Sequence, residues 1–139
     1  MVKVKPSTLI KRVLKRADVQ AFIINLNTED QLKKDNINPL GFRLYTIGGE
    51  YSNMTLELKN LRDPKQINLF DTGDYYETFD LLIFANGDFQ IISNNKIHGS
   101  NTDLAKERWG EVEGLTKENE EKALRFIEEK LIEEIERLF

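Results

Sequence analysis

The chain has 139 residues, 40% of them hydrophobic and 32% charged, the make-up of one globular domain with a well-charged surface. It contains no cysteine, which excludes a disulfide framework, a thiol nucleophile and a thiolate metal site; its one histidine, His98, excludes any site built on two imidazoles. The formal net charge of −4 conceals a gradient: Met1 to Arg16 carries Lys3, Lys5, Lys11, Arg12, Lys15 and Arg16 and no acid, whereas Glu111 to Phe139 carries ten glutamates against Lys117, Lys122, Arg125, Lys130 and Arg137.

The start, Met1-Val2-Lys3-Val4-Lys5-Pro6, has the pattern of neither a signal peptide nor a membrane anchor, and no apolar run approaches ~20 residues. An intracellular protein with no membrane partner is expected. A basic end and an acidic end suit nucleic acid at one side, head-to-tail packing of copies, or simply two solvated helix faces.

A first helix is expected to open after Pro6, capped by Ser7 or Thr8. Leu9, Ile10, Val13, Leu14, Ala17, Ala21 and Ile24 share one helical stripe, and Val19, Phe22, Ile23 and Leu26 fill the other side. The β-branched content of Val19 to Leu26 also suits a strand, but the continuing stripe favours one long helix running to Lys34. Asn36 to Gly41, with Pro39, ends it. From Phe42 to Lys65 the pattern weakens. Phe42 to Ile47 reads as a short strand closed by Gly48-Gly49, Met54 to Leu58 alternates, and Arg62-Asp63-Pro64 breaks it. The whole stretch reads as a partly extended arm, and an arm of this length is often functional.

The run Tyr75 to Phe84, the pair Asn86-Gly87 and the run Asp88 to Ser93 form a strong hairpin signal. A two-residue turn would pair Phe84 with Phe89 and Leu82 with Ile91. A three-residue loop with Gly87 in the left-handed region shifts the pairing by one. In either register Leu82 and Phe84 share one face, while Phe79, Leu81 and Ile83 share the other. Both faces are apolar, so a second covering surface is expected. Beyond the polar loop Asn94 to Ser100, Thr102 can cap a short helix from Asp103 to Trp109, ended by Gly110. Thr116 then caps a final amphipathic helix whose stripe is Ala123, Leu124, Ile127, Leu131, Ile135 and Leu138. The expected fold is therefore α+β and a single domain, residues 1–139. It comprises a long N-terminal helix, an extended arm over roughly 42–65, an antiparallel β-hairpin or small sheet, a short helix and a long C-terminal helix.

No catalytic, cofactor-binding or metal-ligating set emerges, and no cofactor is expected. His98 reads as a satisfied surface imidazole and Trp109 as a core or interface anchor. Leu69-Phe70-Asp71-Thr72-Gly73 resembles the active-site stretch of aspartic proteases, which implies a shared-proton aspartate pair in a homodimer. Asp74 stands where that family has a small neutral residue, and the later apolar-apolar-Gly stretch is missing. The simpler reading of Asp71-Thr72-Gly73 is a turn feeding a strand.

The sequence Leu69-Phe70-Asp71-Thr72-Gly73-Asp74-Tyr75-Tyr76-Glu77-Thr78-Phe79 resembles the small neck and tail virion proteins of tailed bacteriophages, of the tail-completion or head–tail joining type. The stretches Phe22 to Leu32 and Arg108 to Thr116 are similar to virion proteins of phages that infect Bacteroides-type bacteria. The resemblance implies a non-enzymatic structural protein, assembled in the bacterial cytoplasm and resident in the virion. It would be a homo-oligomer or repeated subunit, bound to portal, connector or tail proteins, with the arm reaching a neighbour. Thr72, Gly73, Tyr75, Phe79, Leu81, Leu82, Ile83 and Phe84 would then form the turn and assembly hairpin. Contact of the basic N-terminus with DNA would be non-specific. The alternative is a small non-enzymatic binding or regulatory module.

Overall fold

The computed structural model describes residues 6–67, 69, 74–93 and 108–138. Helices α1 (Pro6–Leu14) and α2 (Ala17–Asn25) lead into a π-helical segment, Leu26–Asp35. Short helices α3 (Leu44–Gly48), α4 (Asn53–Lys59) and α5 (Asp74–Glu77) precede strands β1 (Asp80–Ile83) and β2 (Phe89–Ile92). The long helix α6 (Lys117–Leu138) closes the chain, and α1 and α2 both pack on it. The fold is α+β and mostly helical, with a C-terminal long helix and a small antiparallel sheet, as the sequence pattern implies.

The N-terminal helix is not continuous. Arg16 takes an extended conformation (φ −67°, ψ 136°) and separates α1 from α2. The break resets the helical phase. Val13 and Leu14 end α1 fully buried, then Val19 and Ile23 turn inward while Ala17 and Ala21 stay exposed. Exchanging two alanines for a valine and an isoleucine buries more apolar area, which favours the interrupted path.

The arm differs from its expected form as well. Phe42 to Ile47 is not a strand: α3 occupies its second half, and only Arg43 makes an isolated bridge, to Ile37. Met54 to Leu58 lies within α4, where the Thr55 N–H donates to the Ser52 hydroxyl at 3.2 Å as an N-cap. The arm is pinned rather than splayed. Leu44, Tyr51 and Ile67 are buried, and the Tyr51 N–H donates to the Pro64 carbonyl at 2.9 Å. Tyr51 meets Trp109 edge-on at 6.1 Å, and the Arg108 guanidinium lies 4.8 Å from the Trp109 ring centroid while bonding the Gly48 carbonyl.

The loop 112–116 is held by two buried carboxamides of the π-helical segment. Asn27 donates to the Val112 carbonyl at 2.9 Å and accepts from the Gly114 N–H at 2.8 Å. Gln31 donates to the Gly114 carbonyl at 2.8 Å and accepts from the Thr116 N–H and the Asn119 side chain, both at 2.9 Å. Thr116 caps α6 as expected, its hydroxyl accepting from the Asn119 N–H. The start of α6 is thereby fixed against the N-terminal half of the chain. Of the expected short helix, Arg108 and Trp109 are helical, and residues 103–107 lie outside the described residues, as does His98.

Candidate functional site

The hairpin is the centre of the candidate site, and its turn sets its geometry. The Gly87 N–H donates to the Phe84 carbonyl at 3.0 Å, and the Phe84 N–H donates to the Asp88 carbonyl at 2.8 Å. Gly87 has φ +94°, a conformation that side chains resist, and a Cβ there would also sit 3.3 Å from Ile10. The loop therefore has three residues, Ala85 to Gly87, and the register pairs Ile83 with Phe89, Leu82 with Gln90, Leu81 with Ile91 and Asp80 with Ile92. The pairing of Phe84 with Phe89, required by a two-residue turn, does not occur.

The strand is shorter than the run Tyr75 to Phe84. Tyr75 to Glu77 instead forms the helical turn α5, because Tyr75, Tyr76 and Phe79 meet at helical spacing and bury together, Tyr75 and Phe79 at 5.3 Å between ring centroids. The Leu69 N–H donates to the Tyr76 hydroxyl at 3.1 Å, and burial pushes that phenol above its ordinary range.

These facts divide the expected assembly residues. Tyr75, Phe79 and Leu81 belong to the core, and Ile83 is half-buried on the same inner face beside Phe89 and Ile91. Leu82 and Phe84 point the other way, each 42% exposed, and Ile92 joins them at 38%. Thr72 and Gly73 lie outside the described residues, with Asp71 and Phe70.

A groove of about 1110 Å³ opens beside β2, a feature the sequence reading does not contain. Ile10 and Leu14 of α1, Leu115, and Leu124, Ile127 and Leu131 of α6 supply its apolar wall. Its charged lining is all acidic among the described residues: Asp88, Glu111, Glu113, Glu120 and Glu128. Leu124, placed in the core stripe by the sequence, is 51% exposed here.

The basic and acidic ends partly neutralise one another within the chain. Arg16 pairs with Asp18 at 2.9 Å, with Glu133 at 3.2 Å and with the buried Glu134 at 3.4 Å. Among the described residues, no three His, Asp or Glu side chains are arranged to hold a metal, and no helix is long and apolar enough to cross a membrane. No family model matches the chain, and neither a curated protein nor a solved structure matches it.

Proposed function

We propose that this protein is a non-catalytic structural subunit that works by assembling with copies of itself or with neighbouring proteins. The observation that carries the reading is the outer face of the hairpin, where Leu82, Phe84 and Ile92 are exposed among Asp80, Asp88 and Gln90 on a sheet whose inner face is already filled. A two-stranded sheet is marginal alone, and large apolar side chains exposed on it are stabilised by a covering partner. The arm carries a further exposed apolar pair: Met54 and Leu58, one turn apart on α4, are both highly exposed.

The setting comes from the resemblance of residues 69–79 to phage neck and tail proteins, and rests on that resemblance alone. In this reading the chain is a repeated subunit of a tailed-phage virion at the head–tail junction or in the tail, in contact with portal, connector or tail proteins. Mass measurement by sedimentation across protein concentration tests the assembly. The expected result is association with rising concentration, lost in Leu82→Lys/Ile92→Lys, which stays folded by circular dichroism. A wild-type monomer at all concentrations that also fails to bind neighbouring virion proteins overturns the proposal.

A further inference from the structure

The groove beside β2 shares Phe84 and Ile92 with the outer face of the hairpin but extends to α1 and α6, where it has its own chemistry. In an antiparallel pair, hydrogen-bonded and non-hydrogen-bonded residue pairs alternate. Because the Phe84 N–H donates to the Asp88 carbonyl, the Ile83–Phe89 and Leu81–Ile91 pairs are the non-hydrogen-bonded ones. The main-chain N–H and C=O groups of Phe89 and Ile91 therefore point away from β1, toward the groove that Phe89 to Ser93 line. That edge carries no third strand among the described residues.

Facing the edge, Glu120, Leu124 and Glu128 succeed one another at four-residue spacing along α6, with Leu131 beyond. From Glu120 to Leu131 the wall is about 16 Å long at the helical rise. An extended segment of about five residues covers the same length, and residues 89–93 line the groove along it. Among the described residues the groove thus has a strand edge with no third strand on it, an apolar wall and a carboxylate rim with no cation in its lining.

We propose that this groove accepts an extended cationic segment of a partner protein, which adds to β2 as a third, edge strand. Main-chain bonds to Phe89 and Ile91 set its register. Its alternate side chains divide by chemistry: one set is apolar and packs on Ile10, Leu124 and Leu131, and the other is lysine or arginine and meets Asp88, Glu113, Glu120 and Glu128. A helical ligand would leave the edge groups of Phe89 and Ile91 without partners, which is why the strand is favoured.

The probe is a short synthetic peptide alternating valine and lysine, followed by fluorescence anisotropy against the full chain. It is expected to bind, to weaken as salt rises, and to lose about tenfold or more in affinity toward Glu120→Gln/Glu128→Gln, a variant whose changes are both on the surface. Methylating the peptide's backbone nitrogens on one alternating set should cost about tenfold, while methylating the other set should not, because only one set faces β2. Four results overturn the inference: no binding, equal binding of a valine–glutamate peptide, equal effects of both methylation sets, or tighter binding of a helical cationic peptide. Its failure is separable from that of the assembly proposal, since Leu82→Lys alone alters the outer face at a residue that does not line the groove and leaves the acidic rim intact.

Discussion

The side chain of Asn36 and the main chain of Ile67 grip each other at both ends: the Ile67 N–H donates to Asn36 Oδ1 at 2.8 Å, and Asn36 Nδ2 donates to the Ile67 carbonyl at 2.6 Å. Asn36 is buried, also bonds the Leu32 carbonyl, and has a left-handed backbone with φ 57°. One residue thus ends the π-helical segment and ties the far end of the arm to it. Asn36→Gly keeps the backbone comfortable and removes the amide that the Ile67 N–H, the Ile67 carbonyl and the Leu32 carbonyl all bond, a loss of roughly 1–3 kcal/mol. Asn36→Ala adds left-handed strain of about 1 kcal/mol or more. Urea unfolding should rank wild type above Asn36→Gly above Asn36→Ala. Equal stability of all three would mean that the arm is held elsewhere.

Gly48 is the closest packing point of the arm. A Cβ built there lies 2.5 Å from the Trp109 ring and 2.7 Å from the Arg108 carbonyl. In sequence Gly48-Gly49 looks like a simple strand terminator, where an alanine would be harmless. The structure makes Gly48→Ala an overpacking change, expected to cost about 1–3 kcal/mol. Trp109 is the chain's one tryptophan, so its fluorescence reports the site directly. A red-shifted emission is expected with the loss of stability, and unchanged emission would show that the ring yields freely.

How much of this was legible beforehand follows from the range of each signal. The turn at Asn86-Gly87 and the capped helix after Thr116 are local patterns with a mechanism in a few residues, and both stand as read, with the hairpin in its three-residue form. The break at Arg16 is decided by tertiary packing of Val19 and Ile23, which no helical stripe reveals. Asn27 and Gln31 look like solvent-facing positions of a polar helix, yet they are buried because loop 112–116, far along the chain, needs their amides. Helices α3 and α4 are too short for periodicity to show. The acids of the groove lie on the hairpin turn, on loop 111–116 and on α6, and only the fold assembles them.

Acid sensitivity should centre on the Arg16 cluster. The hydrogen bond from Arg16 holds the Asp18 carboxyl below its ordinary 3.8. Bonds from Lys130 first and Arg16 second hold Glu133 below 4.5. Carboxyls depressed in the folded state contribute stability above their unfolded pKa and lose it as pH falls through the folded value. Urea midpoints should therefore decline below about pH 4.5. The decline should be shallower in Arg16→Gln, because the exposed carboxyls then titrate nearly as they do unfolded. A parallel decline in both proteins would place the acid sensitivity in other groups.

The two faces of β1 give the sharpest test of what the hairpin is for. Leu81 and Leu82 are adjacent and chemically identical, but Leu81 is buried against Ile91 and the inner face while Leu82 is 42% exposed on the outer one. Leu81→Lys puts an unpaired ammonium into the core, at a cost on the order of 3–5 kcal/mol, a large share of the stability of a domain this size. It should give a chain that is largely unfolded by circular dichroism. Leu82→Lys leaves its charge in water and should change monomer stability by no more than about 0.5–1 kcal/mol. Its effect should appear only in association, as a folded subunit that no longer joins its neighbours. If Leu82→Lys also unfolds the isolated chain, the outer face is covered within one chain, and the hairpin is a core element rather than an assembly surface. If Leu82→Lys folds and associates as the wild type does, the partner sits elsewhere, and the exposed pair Met54 and Leu58 on α4 is the next surface to charge.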